Sequence, residues 1–194
     1  MAPTTLYRLA GIAGLLTGVL LLLNDARRVG VVPENDLTHS IAPIPAFLAL
    51  FALTGLYLWQ RERTGRLGLY GYALNLAGLA GALAIEFASH YVLRFLDSDT
   101  VERLVDGRTG TGFLVISMVY LAGIVLFGLA SARAGLFPRT ACALYVVGFV
   151  PTALRAVLPA PVVSIGFVLG SAAVIWMSWR LVTANTQDRL PVRI

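Results

Sequence analysis

Charged residues are scarce in this 194-residue chain. Asp, Glu, Lys and Arg make up 13% of it, hydrophobic residues make up 58%, and the mean hydropathy is +0.80. A soluble domain has about 25% charged residues, so half that share cannot cover a water-exposed surface of this size. A bilayer can replace the cover, and the composition therefore predicts an integral membrane protein. It excludes a disordered chain and a nucleic-acid-binding domain.

Lysine is absent and cysteine nearly so. All 15 basic residues are Arg, which excludes a lysine Schiff base and with it a retinal pigment. Cys142 is the single cysteine, so the chain cannot form an intrachain disulfide. The lack of Lys, together with much Ala, Gly, Leu and Val, is typical of high-GC genomes and favours a bacterial source.

Long apolar runs dominate what is present. An apolar helix needs about 20 residues to cross the hydrocarbon core, and six segments meet or nearly meet that length. We therefore expect an all-α, polytopic bundle of six transmembrane helices with short loops, forming one domain over residues 1–194. The first segment has no small-residue cleavage site and is expected to be retained. The predicted spans are Leu6–Leu23, Leu37–Trp59, Leu67–Leu93, Gly112–Ala132, Thr140–Leu158 and Val162–Val182.

Arginine is unevenly distributed between the two predicted sides of the bundle. The amino end, the second and fourth links and the carboxyl tail hold nine arginines, and the first and third links hold five. The positive-inside rule therefore predicts that both termini are cytoplasmic in a multi-pass plasma-membrane protein. The nine are Arg8, Arg61, Arg63, Arg66, Arg133, Arg139, Arg180, Arg189 and Arg193; the five are Arg27, Arg28, Arg94, Arg103 and Arg108.

One polar face lies on the third predicted span. Glu86 and His90 are four residues apart and share a helix face. Asn75 lies three turns earlier on the same stripe, and Arg94 extends the stripe to the membrane surface. Because ionisable groups inside a bilayer usually face the bundle interior, this face predicts a polar pocket near the outer leaflet.

The outer ends of other predicted helices add polar groups at a similar depth. We predict that Glu86 and His90 are the catalytic acid–base residues of this pocket. Its predicted substrate-binding residues are Asn75, Asp25, His39, Arg94, Tyr120, Thr152 and Arg155. The competing interpretation is structural, with Glu86 paired to Arg155 and His90 hydrogen-bonded to Glu86.

The third link predicts a short helix on the outer interface. Residues 99–102, Asp-Thr-Val-Glu, fit a capping pattern in which an acceptor is followed three residues later by Glu. Val101, Leu104 and Val105 would form its apolar face, and Gly107 would end it. Residues 108–112 are expected to be a flexible return. The helix would act as a lid over the pocket or as a passive connector.

No familiar catalytic or transport motif occurs in the chain, so the function rests on the polar face. The interpretation we favour is a membrane-embedded enzyme or binder that acts on a lipid-like or isoprenoid molecule by acid–base chemistry. One alternative is a proton-coupled transporter or channel-like module, and another is an accessory subunit of a membrane complex. The expected partners are membrane lipid and a hydrophobic small molecule, with a homo-oligomer as a further option.

The cofactor is not determined by the sequence. Glu86, His90 and His39 could ligate a metal, since a Glu and a His one helical turn apart point the same way. The two histidines of the chain, His39 and His90, could instead be the axial ligands of one haem. Both alternatives require these side chains to converge on one ion.

Overall fold

The computed structural model describes residues 3–183, and these form helices joined by short connections, with no strand among them. The all-α prediction is confirmed. Arg189 and Arg193, which entered the orientation argument, lie outside the described residues. The helices are α1 (Pro3–Arg28), α2 (Asp36–Ile41), α3 (Ile44–Tyr91), α4 (Ser98–Asp106), α5 (Arg108–Ala134), α6 (Arg139–Ala153) and α7 (Ala160–Thr183), with a 3₁₀ turn at Leu93–Phe95.

Four stretches of helix are long and apolar enough to cross a membrane. They are Thr5–Arg28, Asp36–Phe95, Arg108–Ala134 and Ala160–Thr183. Their outward faces carry large apolar side chains such as Val19, Leu114 and Ile165, all more than half exposed. An apolar outer surface of this kind is what lipid requires. α6 has 15 residues and extends about 22 Å, less than the hydrocarbon thickness of about 30 Å.

The long helix α3 doubles back at Gly65. This residue has φ 55° and ψ −149°, a conformation that is essentially restricted to glycine. The rings of Tyr57 and Tyr72 stack with centroids 4.3 Å apart, and the hydroxyls of Thr54 and Tyr72 lie 3.2 Å apart. In a straight helix residues 57 and 72 would be about 22 Å apart. α3 therefore consists of two antiparallel arms, the first arm (residues 44–64) and the second arm (residues 66–91).

The second predicted span is not one continuous helix. Leu37–Trp59 is interrupted between α2 and α3, where Pro43 precedes the first residue of α3, because proline has no N–H for the helical ladder. Asn35 begins α2 with a reciprocal cap: its side chain accepts from the Thr38 N–H, and its own N–H donates to the Thr38 hydroxyl. The break orients α2 independently of the first arm.

The short helix predicted in the third link is present as α4, with two corrections at its ends. Its cap is Asp97, whose carboxylate accepts from the Thr100 N–H at 2.9 Å, and not Asp99. The predicted flexible return at residues 108–112 is instead the first turn of α5. Gly107 separates the two helices, so the connection is shorter and more rigid than expected.

Glycines bring the helices that build the site into backbone contact. A Cβ on Gly78 of the second arm would overlap the backbone of Tyr120 in α5, and one on Gly123 of α5 would overlap the backbone of Asn75. Such close approach drives helix association in lipid, where burial of apolar surface adds little. Tyr120 and Asn75 therefore sit at a fixed register between two helices.

The bundle has two distinct ends. The charged end contains the last turn of α1, the end of the second arm and the start of α7. Arg28 of α1 and Glu86 of the second arm form an ion pair there. The turn end contains Gly65 and the connection from α5 to α6. Phe127, Ile124, Met177 and Leu181 are fully buried in the core. Because consecutive helices run in alternating directions, the helix ends for which the sequence predicts an outer position lie together at the charged end.

Candidate functional site

A cavity of about 120 Å³ lies between α1, the two arms of α3, α5, α6 and α7. Its body is apolar, with walls that include Leu53, Leu56, Ile85 and Val174. A dry cavity of about 150 Å³ in another protein holds a benzene molecule, so this space accommodates an apolar group of similar size. Three charged side chains line its mouth at the charged end: Arg28, Glu86 and Arg155.

Small side chains on the first arm keep the cavity open. Ala46, Ala49 and Ala52 line it at intervals of three residues, which is the spacing of one helix face. Close packing normally leaves few voids larger than a water molecule. An alanine stripe opposite the large residues of α5 and α6 is therefore the local cause of the space.

The Glu86 carboxylate is held by three side chains. Its Oε1 accepts from Arg155 at 2.5 Å and from Arg28 at 3.3 Å, and its Oε2 lies 3.4 Å from Nε2 of His90. The Glu86 side chain is 13% exposed and lines the cavity. The Arg28 guanidinium also lies over the Phe167 ring at 4.6 Å. Glu86 thus forms the ion pair of the structural interpretation and also borders a void, as the functional interpretation requires.

The two histidines of the chain contact one another directly. Nδ1 of His39 and Nδ1 of His90 are 2.8 Å apart, a hydrogen-bond distance at which one nitrogen donates and the other accepts. If Glu86 is ionised it can only accept, so Nε2 of a neutral His90 carries the proton and its Nδ1 accepts from His39. The result is a chain of contacts from His39 through His90 to Glu86.

This geometry leaves no space for a metal between the histidines. At about 2.0–2.1 Å per bond, two imidazole nitrogens lie about 3.3 Å apart on a tetrahedral ion and about 4 Å apart on opposite sides of an ion, whereas the two Nδ1 atoms are 2.8 Å apart. Within residues 3–183 no group of three or more His, Cys, Asp or Glu side chains could hold a metal ion. The distance likewise disfavours a haem iron between His39 and His90.

A second polar group lies deeper in the cavity. Nδ2 of Asn75 donates to the Tyr145 hydroxyl at 2.7 Å, and Tyr145 and Tyr120 line the cavity. Asn75 itself is fully buried behind Tyr145, and its Oδ1 has no partner among the described residues. Of these two predicted substrate-binding residues, Tyr120 therefore borders the space and Asn75 supports Tyr145.

The remaining predicted residues divide between the cavity and its surroundings. Thr152 lines the cavity and its hydroxyl donates to the Phe149 carbonyl at 2.8 Å. Asp25 is buried beside the mouth and accepts from the Ser164 hydroxyl at 2.9 Å. Arg94 does not line the cavity: it donates to Asp36 at 2.6 Å on the surface of the charged end.

The sequence argument missed Arg28 and Tyr145. Arg28 was counted as a loop arginine, but α1 continues to this residue, five positions beyond the predicted end of the span. The sequence does contain a pattern that indicates the position of Arg28. At helical spacing one face of α1 presents Thr17, Leu21, Asn24 and Arg28, and all four line the cavity. The Asn24 side chain donates to the Ala42 carbonyl at 2.8 Å and so links α1 to the connection between α2 and α3.

No model of a known protein family matches the chain, and no curated protein and no solved structure matches it either.

Proposed function

We propose that this protein crosses the membrane six times and binds a lipid-like or isoprenoid molecule in its cavity, where Glu86 and His90 perform acid–base chemistry. The observation that supports this proposal is a single space with an apolar body and a charged mouth. An amphiphile matches both parts: its tail replaces empty volume between apolar walls, and its head group meets the two guanidinium groups.

The length of α3 and the course of α6 support six crossings. The two arms of α3 are about 32 Å and about 39 Å long, each enough to cross the hydrocarbon core. Hydrogen-bonded turns extend α6 from Ala153 to Leu158, which brings its length near to a full crossing. The distribution of arginine supports cytoplasmic termini, with the charged end at the outer leaflet.

The proposed chemistry assigns roles to cavity-lining side chains and to His90, which contacts Glu86 but does not line the cavity. Glu86 gives or takes a proton at the ligand's head, and His90 exchanges that proton with it. Arg28 and Arg155 hold an anionic part of the head group, because guanidinium groups bind carboxylate and phosphate oxygens in pairs. Tyr145 and Tyr120 offer hydroxyl groups to a polar atom further along the ligand.

The occupant of the cavity tests the binding part of this proposal. Protein purified in mild detergent is extracted with organic solvent, and the co-purified species are identified by mass spectrometry. Ala49→Phe fills the cavity and is expected to lose the amphiphile that the unaltered protein retains. Val147→Phe places the same ring on an outward face that is 57% exposed and is expected to retain it.

Loss of the amphiphile from both variants, or its absence from the unaltered protein, would contradict a cavity site. Once the ligand is known, Glu86→Gln tests the chemistry: turnover should stop while the protein stays folded and still binds. Full turnover by that variant would remove Glu86 from the acid–base role.

A proton-coupled transporter needs a polar path through both halves of the bilayer. Towards the turn end the helices are tightly packed around Phe127, Met177 and Leu181, each less than 2% exposed. This packing favours a dead-ended binding cavity over a pathway. Flux in proteoliposomes that follows an imposed pH gradient would favour the transporter over the binding cavity. Co-purification of a constant protein partner would instead favour the accessory-subunit alternative.

A further inference from the structure

We infer that the cavity mouth takes up a monoanionic head group together with one proton, and that His39 and His90 carry this proton between the aqueous surface and Glu86. The inference rests on the proposed function, since it requires an amphiphile in the cavity. It adds the charge of the ligand, the coupling of its binding to protonation and a role for His39.

The fixed charges around the mouth balance before any ligand binds. Arg27 and Arg28 of α1 and Arg155 after α6 supply three positive charges. Asp25, Glu34 and Glu86 supply three negative charges, and Arg27 and Glu34 are paired at 2.7 Å. Asp25 lies near Arg28 and accepts from Ser164. With both histidines neutral, the cluster has no net charge.

A monoanion that entered this cluster alone would leave one negative charge uncompensated. It would also compete with Glu86 for Arg28 and Arg155, which already donate to that carboxylate. An unpaired charge away from water is costly. A proton on Glu86 solves both problems, because it restores neutrality and releases the two guanidinium groups to the head group.

The histidine pair provides a path for that proton. At the start His39 carries its proton on Nδ1 and His90 on Nε2, as the contacts with an ionised Glu86 require. A proton from water binds Nε2 of His39, the Nδ1 proton of His39 passes to Nδ1 of His90, and the Nε2 proton of His90 passes to Glu86. One proton enters, each ring ends neutral in its other tautomer, and release of the ligand reverses the steps.

The charged groups that face the pair are themselves paired. Arg94 lies on the side of His39 and donates to Asp36 at 2.6 Å. Arg27 and Glu34 also lie near His39 and bind each other. The Tyr91 hydroxyl donates to the Ser40 carbonyl at 2.8 Å and ties the second arm to α2 beside the histidines. The two carboxylates on this side, Glu34 and Asp36, are thus already bound by Arg27 and Arg94.

Calorimetry measures the coupling directly. The full chain in phosphatidylcholine nanodiscs is titrated with decanesulfonate, whose charge is independent of pH in the range used, and with 1-decanol as the neutral match. Repetition in buffers of different ionisation enthalpy gives the number of protons bound. The expected result is one proton per decanesulfonate and none per decanol, with an affinity for decanesulfonate that falls about tenfold per unit rise in pH. Empty nanodiscs correct for partitioning into lipid.

Two variants test the binding equilibrium and the rate of proton uptake separately. Glu86→Gln carries no negative charge, so it should bind decanesulfonate more tightly than the unaltered protein and without proton uptake. His39→Gln can still donate to His90 but cannot relay a proton. It should keep the affinity and slow proton uptake at least about tenfold in stopped flow with a pH dye. The matched control Tyr91→Phe removes the neighbouring tether and should leave that rate unchanged.

The outcomes distinguish the inference from the proposed function. Binding of decanesulfonate without proton uptake, or equal affinity in Glu86→Gln, overturns the coupling and leaves the cavity as an amphiphile site. An unchanged rate in His39→Gln overturns the relay. If neither decanesulfonate nor decanol binds, the proposed function itself fails.

Discussion

The two ends of the bundle are built from the same helices and differ in what fills the space between them. At the turn end neutral contacts join tightly packed elements: Gln60 donates to the Ser131 hydroxyl at 2.7 Å, and the rings of Tyr7 and Trp59 meet edge to face at 5.4 Å. At the charged end an ion cluster surrounds a cavity lined by alanine. The contrast indicates that tight packing at the turn end stabilises the fold. At the charged end the side chains do not fill the space between the helices, and a cavity remains.

Removing a buried ring at the turn end should have the largest effect on stability. Phe127→Ala removes a fully buried ring and should cost about 3–5 kcal/mol of the free energy of unfolding, because the transfer energy of the ring is lost and a cavity is left. Thermal unfolding in detergent measures the change. Leu129→Ala, at a residue of the same helix that is 47% exposed, should cost much less. Equal losses in the two variants would contradict the assignment of a packed turn end.

Adding side-chain volume should have opposite effects on stability at the two ends. Ala130→Leu at a fully buried site of α5 should destabilise by about 1–3 kcal/mol, because tight packing cannot accept three more carbon atoms. Ala49→Leu borders the cavity and should be neutral or slightly stabilising. The same unfolding measurement compares them. A larger loss for Ala49→Leu than for Ala130→Leu would mean that the cavity is not a space available to side chains.

The smallest expected effect concerns α4, which lies outside the packed bundle. The Thr100 N–H donates to the Asp97 carboxylate and lowers the pKa of that carboxyl below its usual value near 3.8. Since the pKa is lower in the folded state, the cap is intact at neutral pH and is lost as the pH falls through the lowered value. Amide exchange of Thr100 should therefore accelerate in acid beyond the intrinsic trend. Asp97→Asn should keep the cap and abolish this additional acceleration.

Much of the fold follows from the sequence because lipid imposes simple rules. Long apolar runs predicted the helices, and the four-residue spacing of Glu86 and His90 placed both on one face, where they make contact. The proposed pairing of Glu86 with Arg155 is also present in the structure. Each of these inferences needs only helix periodicity or the alternation of helix direction.

The features that the sequence did not predict depend on register between helices. His39 meets His90 because α2 is set by the break at Pro43 while the second arm is set by Gly65. Arg28 reaches Glu86 because α1 continues beyond its apolar run. Arg94 turns away from the cavity because Asp36 lies within its reach. The cavity itself is a difference in side-chain volume between facing helices, and helix periodicity contains no information about it.

The reversal at Gly65 restricts insertions and deletions between this residue and Glu86. Glu86 lies about 30 Å along the second arm from that glycine, and each residue of an α-helix advances the screw by about 100°. A single codon inserted just after Gly65 would rotate the whole arm and swing Glu86 from the bundle interior towards lipid. The length of this arm between Gly65 and Glu86 is thus fixed by the phase of the screw.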